Sequence, residues 1–167
     1  MALAVAGLAL ASLAGVALAK SFTLQTGKNI KVSNLTKPSA GTKTESIVVN
    51  SKGAAVYMLS GDRKGHLKCT SSMCLANWPV VTVSSAKAKL TAGPGVKGKL
   101  GTLKRGSRFQ LTLNGHPLYN FAPDKKGKAQ GNGIVAFGGT WHVFTVSIKK
   151  SSSAPPSNPN PPLPPGY

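Results

Sequence analysis

In the middle of the chain, apolar and polar positions alternate. Phe109, Leu111 and Leu113 alternate with Gln110, Thr112 and Asn114, the period of two expected of a strand with one covered face. Asn114-Gly115 follows. Both residues accept positive φ, as the central pair of a tight hairpin turn requires, so residues 116–121 are expected to return as the partner strand. Pro117 has no N–H to give to a ladder, which puts that partner at an edge or turns its free side outward. Residues 141–148 are again rich in β-branched and aromatic side chains. Outside the N-terminal run no window holds a useful 3.6-residue period, so the pattern predicts an all-β fold.

The two ends read differently. Residues 2–19 are apolar or small throughout, a run of roughly 27 Å if helical, short of a bilayer core of about 30 Å. The run ends in Ala17-Leu18-Ala19 before Lys20, a small-x-small cleavage pattern, and residues 1–19 are read as a signal peptide. No Lys or Arg precedes the run, as a signal would normally have, and an uncleaved anchor is the competing reading. After leader removal no membrane span is expected. Residues 20–44 read as a flexible, solvated lead-in with one short strand near Ile30 to Val32. Residues 149–167 hold seven of the 12 prolines and read as a disordered, extended tail. The folded domain is expected at 45–148.

Laid on itself at an offset of 62, the chain repeats. The segment from Gly53 to Gly65 (GAAVYMLSGDRKG) matches that from Gly115 to Gly127 (GHPLYNFAPDKKG), and five of the 13 positions are identical. Ile47 and Val49 fall on Phe109 and Leu111, and Trp78 and Trp141 agree to within one residue. Residues 46–83 and 108–146 are thus two copies of one unit, expected to pack as a small sandwich- or barrel-like domain, because one unit has too little apolar surface to cover itself.

Two of the chain's three acids, Asp62 and Asp124, occupy one repeat position, five residues after Tyr57 and Tyr119. Two readings are open. In the first, Asp opens a type I turn with Gly fourth, and the tyrosine packs its ring and finds a partner for its hydroxyl. In the second, the Tyr hydroxyl and Asp carboxylate form a ligand or ion site shared by both units.

The second unit shows Asn114-Gly115, Pro117-Leu118-Tyr119, Phe121 and Asp124, preceded by Leu100-Gly101-Thr102, Arg105 and Gln110 and followed by Gly131, Gly133 and Trp141. This pattern resembles a family of bacterial secreted or lipoprotein repeats of unknown function, marked by Tyr-x-(Phe/Trp/Tyr)-x-x-Asp. The first unit fits at Tyr57, Asp62, Cys69, Cys74, Ala76, Trp78 and Pro79 and departs at Leu59, where the family has an aromatic ring. The resemblance covers about residues 46–146. It implies a secreted, envelope-associated, non-enzymatic protein and supplies no reaction. Members are often lipidated, and no cysteine follows the apolar run here.

Cys69 and Cys74 are five positions apart, and in an exported chain a disulfide is the default. The alternative is a metal or redox site, with His66 completing His-x₂-Cys-x₄-Cys beside Met73, a donor set for Cu(I) or Zn²⁺. The second unit has Gly131 and Ala136 where the cysteines stand, so sulfur is not the shared chemistry. No cofactor is expected.

Charge narrows the classes further. Lys and Arg number 21 against three Asp and Glu, a formal net charge of +18. Three carboxylates leave little for acid–base pairs or for a Ca²⁺ or Mg²⁺ cage, which counts against glycosidases, EF-hands and most hydrolases, and no catalytic residue is expected. Only Arg63, Arg105 and Arg108 are arginines. Hydrated lysine charges suit loose attraction to a polyanion, such as an anionic envelope polymer, more than specific nucleic-acid reading. Acidic surroundings, in which carboxylates could not balance lysine, account for the same composition.

Overall fold

Each half of the chain builds a hairpin from local pairing. The computed structural model describes residues 22–146. The expected leader at 1–19 and tail at 149–167 lie outside the described residues. β1 (Leu24–Val32) runs antiparallel to β2 (Lys43–Asn50), with a register shift between Gly27 and Ile30 where Asn29 takes φ 55°. Where one short strand was expected near Ile30 to Val32, β1 is nine residues long and takes up about a third of the 20–44 lead-in. Its apolar side chains are only Leu24, Ile30 and Val32, and the bulge sends them to different places. Leu24 joins one buried cluster, whereas Ile30 and Val32 join another.

The first half continues with β3 (Tyr57–Leu59), helix α1 (Ser72–Asn77) and β4 (Thr82–Val83). Ser71 caps α1 by accepting from the Cys74 amide at 3.2 Å. The second half repeats the plan. β5 (Leu100–Arg105) pairs antiparallel with β6 (Arg108–Leu113), and β7 (His116–Pro117) returns on β6. Between β6 and β7, Asn114 and Gly115 take φ 53° and 80°, the two positive values that the sequence predicts. Then come β8 (Lys128–Ala129), β9 (Val135–Ala136) and β10 (Gly139–Val143).

The strands form several small sheets, ordered β2-β1-β8, β3-β10-β9 and β4-β6-β5, with β7 on β6, and no closed barrel. The fold is all-β in character. The halves are woven together rather than stacked. β10 of the second half pairs with β3 of the first, and β4 of the first pairs with β6 of the second. β8 adds in parallel to β1.

Weaving leaves two buried clusters. One gathers Ile47, Val49, Tyr57, Leu59, Trp78, Tyr119 and Trp141, and the other Leu24, Val48, Val56, Leu111, Leu113 and Leu118. β2 supplies both, Ile47 and Val49 to one side and Val48 to the other, so it is covered on both faces. Trp78 and Trp141 are fully enclosed. An aromatic side chain of this size removes about 150–250 Å² from water, on the order of 4–6 kcal/mol each before entropy is counted.

Candidate functional site

The two repeat tyrosines meet at the centre of the weave. Tyr57 and Tyr119 pair antiparallel, with Tyr57 N donating to Tyr119 O at 2.8 Å and Tyr119 N to Tyr57 O at 2.9 Å. A residue bonded in both directions to its own repeat equivalent marks a local two-fold relation between the units. The flanking contacts follow it. Val143 lies opposite Tyr57, and Val80 lies opposite Tyr119. The Tyr57 ring meets Trp78 edge-on at 5.3 Å, and the Tyr119 ring meets Trp141 edge-on at 5.1 Å.

The aspartates occupy matching loops. Asp62 N donates to Leu59 O, and Asp124 N to Phe121 O, both at 3.0 Å. The next turn runs from Arg63 to His66 in one unit and from Lys125 to Lys128 in the other, each closed at 2.9 Å, with Gly65 and Gly127 at positive φ. The tight turn therefore starts one residue after the aspartate, and glycine is its third residue. This corrects the expected type I turn with Asp first and Gly fourth. Each carboxylate closes its loop instead: Lys68 N donates to Asp62 Oδ1 at 2.5 Å and Gln130 N to Asp124 Oδ1 at 2.7 Å.

The remaining carboxylate oxygens cross between units. Tyr57 Oη donates to Asp124 Oδ2 at 2.7 Å, and Tyr119 Oη donates to Asp62 Oδ2 at 2.6 Å. Each tyrosine holds the aspartate of the other copy. Asp62 is only 1% exposed and Asp124 is half-buried. Burial, then the hydrogen bond and charge of Asp62, push the Tyr119 phenol up to about 12, with Arg105 opposing. Burial, followed by Asp124, raises the Tyr57 phenol further, with the Gly131 amide opposing. Burial also raises the Asp124 carboxyl, against the hydrogen bonds from Tyr57 and Gln130 N. All four carboxylate oxygens have donors within the fold, so the arrangement works as a reciprocal latch.

The units differ around the latch. Gly131 N donates to Tyr57 Oη at 3.3 Å. At Tyr119 that place is taken by Arg105, whose guanidinium donates to Tyr119 Oη at 3.1 Å, to Gln110 Oε1 at 3.0 Å and to Cys69 O. The family resemblance includes Arg105 and Gln110, but nothing in their spacing shows that they brace a tyrosine. Phe121 lies 4.3 Å from Trp78, and Trp78 stacks on Trp141 at 3.7 Å with 2° between the rings. Leu59, in the equivalent place to Phe121, lies opposite Trp141.

Cys69 and Cys74 form a disulfide, and both are fully buried. This corrects the metal alternative of His66, Cys69 and Cys74. Sulfurs bonded to each other provide no thiolate ligand, and His66 is exposed on the Arg63–His66 turn. Among the described residues no group of three or more His, Cys, Asp or Glu is placed to hold a metal ion.

Residues 101–145 match a family described as a secreted repeat of unknown function, the family that the Tyr and Asp pattern resembles. The matched range covers the second unit but for its last residue, together with most of β5. The protein is accordingly placed among secreted or envelope proteins. Among the described residues no helix is long and apolar enough to cross a membrane. No curated protein and no solved structure matches the chain.

Proposed function

We propose that this is a non-catalytic binding or structural protein of the cell envelope that associates with anionic polymers. The observation that carries the reading is where the carboxylates go. Of three acids, Asp62 and Asp124 spend both oxygens on internal hydrogen bonds, which leaves Glu45 as the only other acid against 21 basic residues. The described lysines face outward without internal counter-charges, and a polymer of opposite sign is their natural complement.

The non-catalytic part has its own support. The conspicuous acid–hydroxyl pairs are engaged with each other across the two units. A general base needs a free lone pair facing a substrate, and these carboxylates direct theirs at the fold.

The test is binding of the mature protein to an immobilised anionic polymer at low and at physiological ionic strength, beside a neutral polymer of the same length. Affinity should fall steeply with salt, and the neutral polymer should not bind. An affinity that does not change with salt would remove the electrostatic partner.

A further inference from the structure

Lysines are spread along the sequence, but the fold gathers several of them around one depression. A cleft of about 260 Å³ lies between the β2–β3 connection and the turn after Asp124. Lys52 stands on one side and Lys125, Lys126 and Lys128 on the other, and Ile30, Ala54 and Ala55 add an apolar patch. A second concavity of about 350 Å³ shares Lys128 with the first. It adds Lys31 and the polar side chains of Ser33, Thr42, Thr44 and Gln130.

Strand pairing tightens this crowding. β1 and β8 are parallel neighbours, and Lys31 is in register with Lys128. Like charges set directly across a strand pair destabilise it. Among the described residues none of these lysines forms an ion pair. Asp124 lines the first cleft, but its two oxygens are held by Tyr57 Oη and Gln130 N. Four lysines against that one carboxylate leave the first cleft net positive, and a cleft focuses such a field on whatever enters.

We propose that the two concavities form one track for an acidic polysaccharide. Carboxylates of the polymer sit among Lys52, Lys125, Lys126 and Lys128, a sugar face rests on the exposed Ala54, and ring hydroxyls bond Ser33, Thr42, Thr44 and Gln130 beyond Lys128. The inference rests on the polyanion reading above and gives it a place and a polymer class. Point-charge lysines attract any polyanion, whereas hydroxyl and amide side chains complement a polymer that itself carries hydroxyls. None of the three arginines lines either concavity, so the planar fork suited to phosphate is absent from the track.

The experiment measures binding of the disulfide-bonded protein to polygalacturonate, and to polyphosphate as a polyanion without hydroxyls, at low salt. Three proteins are compared with the unaltered one: K125Q/K126Q/K128Q in the track, K64Q/K97Q/K99Q as an equal loss of exposed charge elsewhere, and S33A/T42A/T44A. Near-ultraviolet circular dichroism checks that each is folded. The track triple should lose about tenfold or more in polygalacturonate affinity and the control triple about twofold or less. The hydroxyl triple should weaken polygalacturonate and leave polyphosphate unchanged. Equal losses from the two lysine triples would overturn the track while leaving the polyanion reading standing. A hydroxyl triple that shifts both polymers alike, or neither, would overturn the saccharide. An unaltered protein that binds neither polymer would sink both readings.

Discussion

Removing the Tyr119 hydroxyl leaves Asp62, only 1% exposed, short of a donor in a place water does not reach. A hydrogen bond to a charged group is worth about 1.5–3 kcal/mol, so Tyr119→Phe should cost about that in chemical denaturation. Asp62→Asn should cost at least as much, because its amide nitrogen must face either the Tyr119 hydroxyl or the Lys68 N–H. The crossing of partners has a sharper test. In double-mutant cycles, Tyr57→Phe should couple to Asp124→Asn by about 1 kcal/mol or more and be additive with Asp62→Asn within about 0.5 kcal/mol. The reverse result would mean that each unit pairs within itself. The phenols also set a pH limit. Tyr119 is raised from 10.0 to about 12, so the folded state holds that proton more tightly than the unfolded chain does. Its contribution is fully present below pH 10 and is lost as pH rises through about 12. Phenolate absorbance should show Tyr57 and Tyr119 ionising only as the fold is lost, and ionisation of either in the native protein near pH 10 would contradict the latch. Asp124 is raised as well, so it favours the fold below the ordinary carboxylate range and less as pH rises through its folded value. It is therefore not a source of acid unfolding.

At the scale of elements, the departure of Leu59 from the family pattern has a physical counterpart. The larger Phe121 is matched by Gly131, where a Cβ would lie 2.6 Å from the Trp78 ring and 3.0 Å from Phe121. At the same repeat position the smaller Leu59 is accompanied by Cys69, which carries a side chain. Gly131→Ala should therefore destabilise by about 1–3 kcal/mol, and adding Phe121→Leu should recover part of the loss in thermal unfolding. If Gly131→Ala unfolds like the unaltered protein, the close approach is not binding. The disulfide closes a short loop, and Cys69→Ala/Cys74→Ala should cost about 2 kcal/mol by loop entropy, with the latch residues still paired. β1 was the element hardest to see in the sequence. Its stretch from Gln25 to Asn29 is polar or glycine, and a bulge there separates its apolar side chains between two clusters. Short-range alternation finds strands whose period is unbroken, such as β6, and misses one that changes face halfway.

For the molecule as a whole, weaving makes the units mutually dependent. The first half lacks β10 to cover β3, and the second lacks β4 to pair with β6. Fragments of residues 22–98 and 99–146 should each lack near-ultraviolet dichroism from the buried tryptophans and regain it on mixing, because the Trp78–Trp141 stack needs both. A half that folds alone with its tryptophan buried would show the units to be separable. Two similar hairpins sharing strands in this way also leave the described lysines on the outside, since both clusters are filled with apolar and aromatic side chains.

By itself the sequence settled the strand character, the Asn114-Gly115 turn, the duplication and the positions that recur in it, because alternation, turn chemistry and internal identity are all local or self-referential signals. It named Tyr57, Asp62, Tyr119 and Asp124 as equivalent pairs. Equivalence cannot say which copy touches which, since a swapped and an unswapped pairing leave the same residues at the same offset. That choice, the role of Arg105 in place of the Gly131 amide, and the gathering of distant lysines beside β8 belong to the tertiary structure. They depend on segments more than 50 residues apart lying side by side, and on burial that makes an unpartnered hydroxyl or carboxylate too costly to leave.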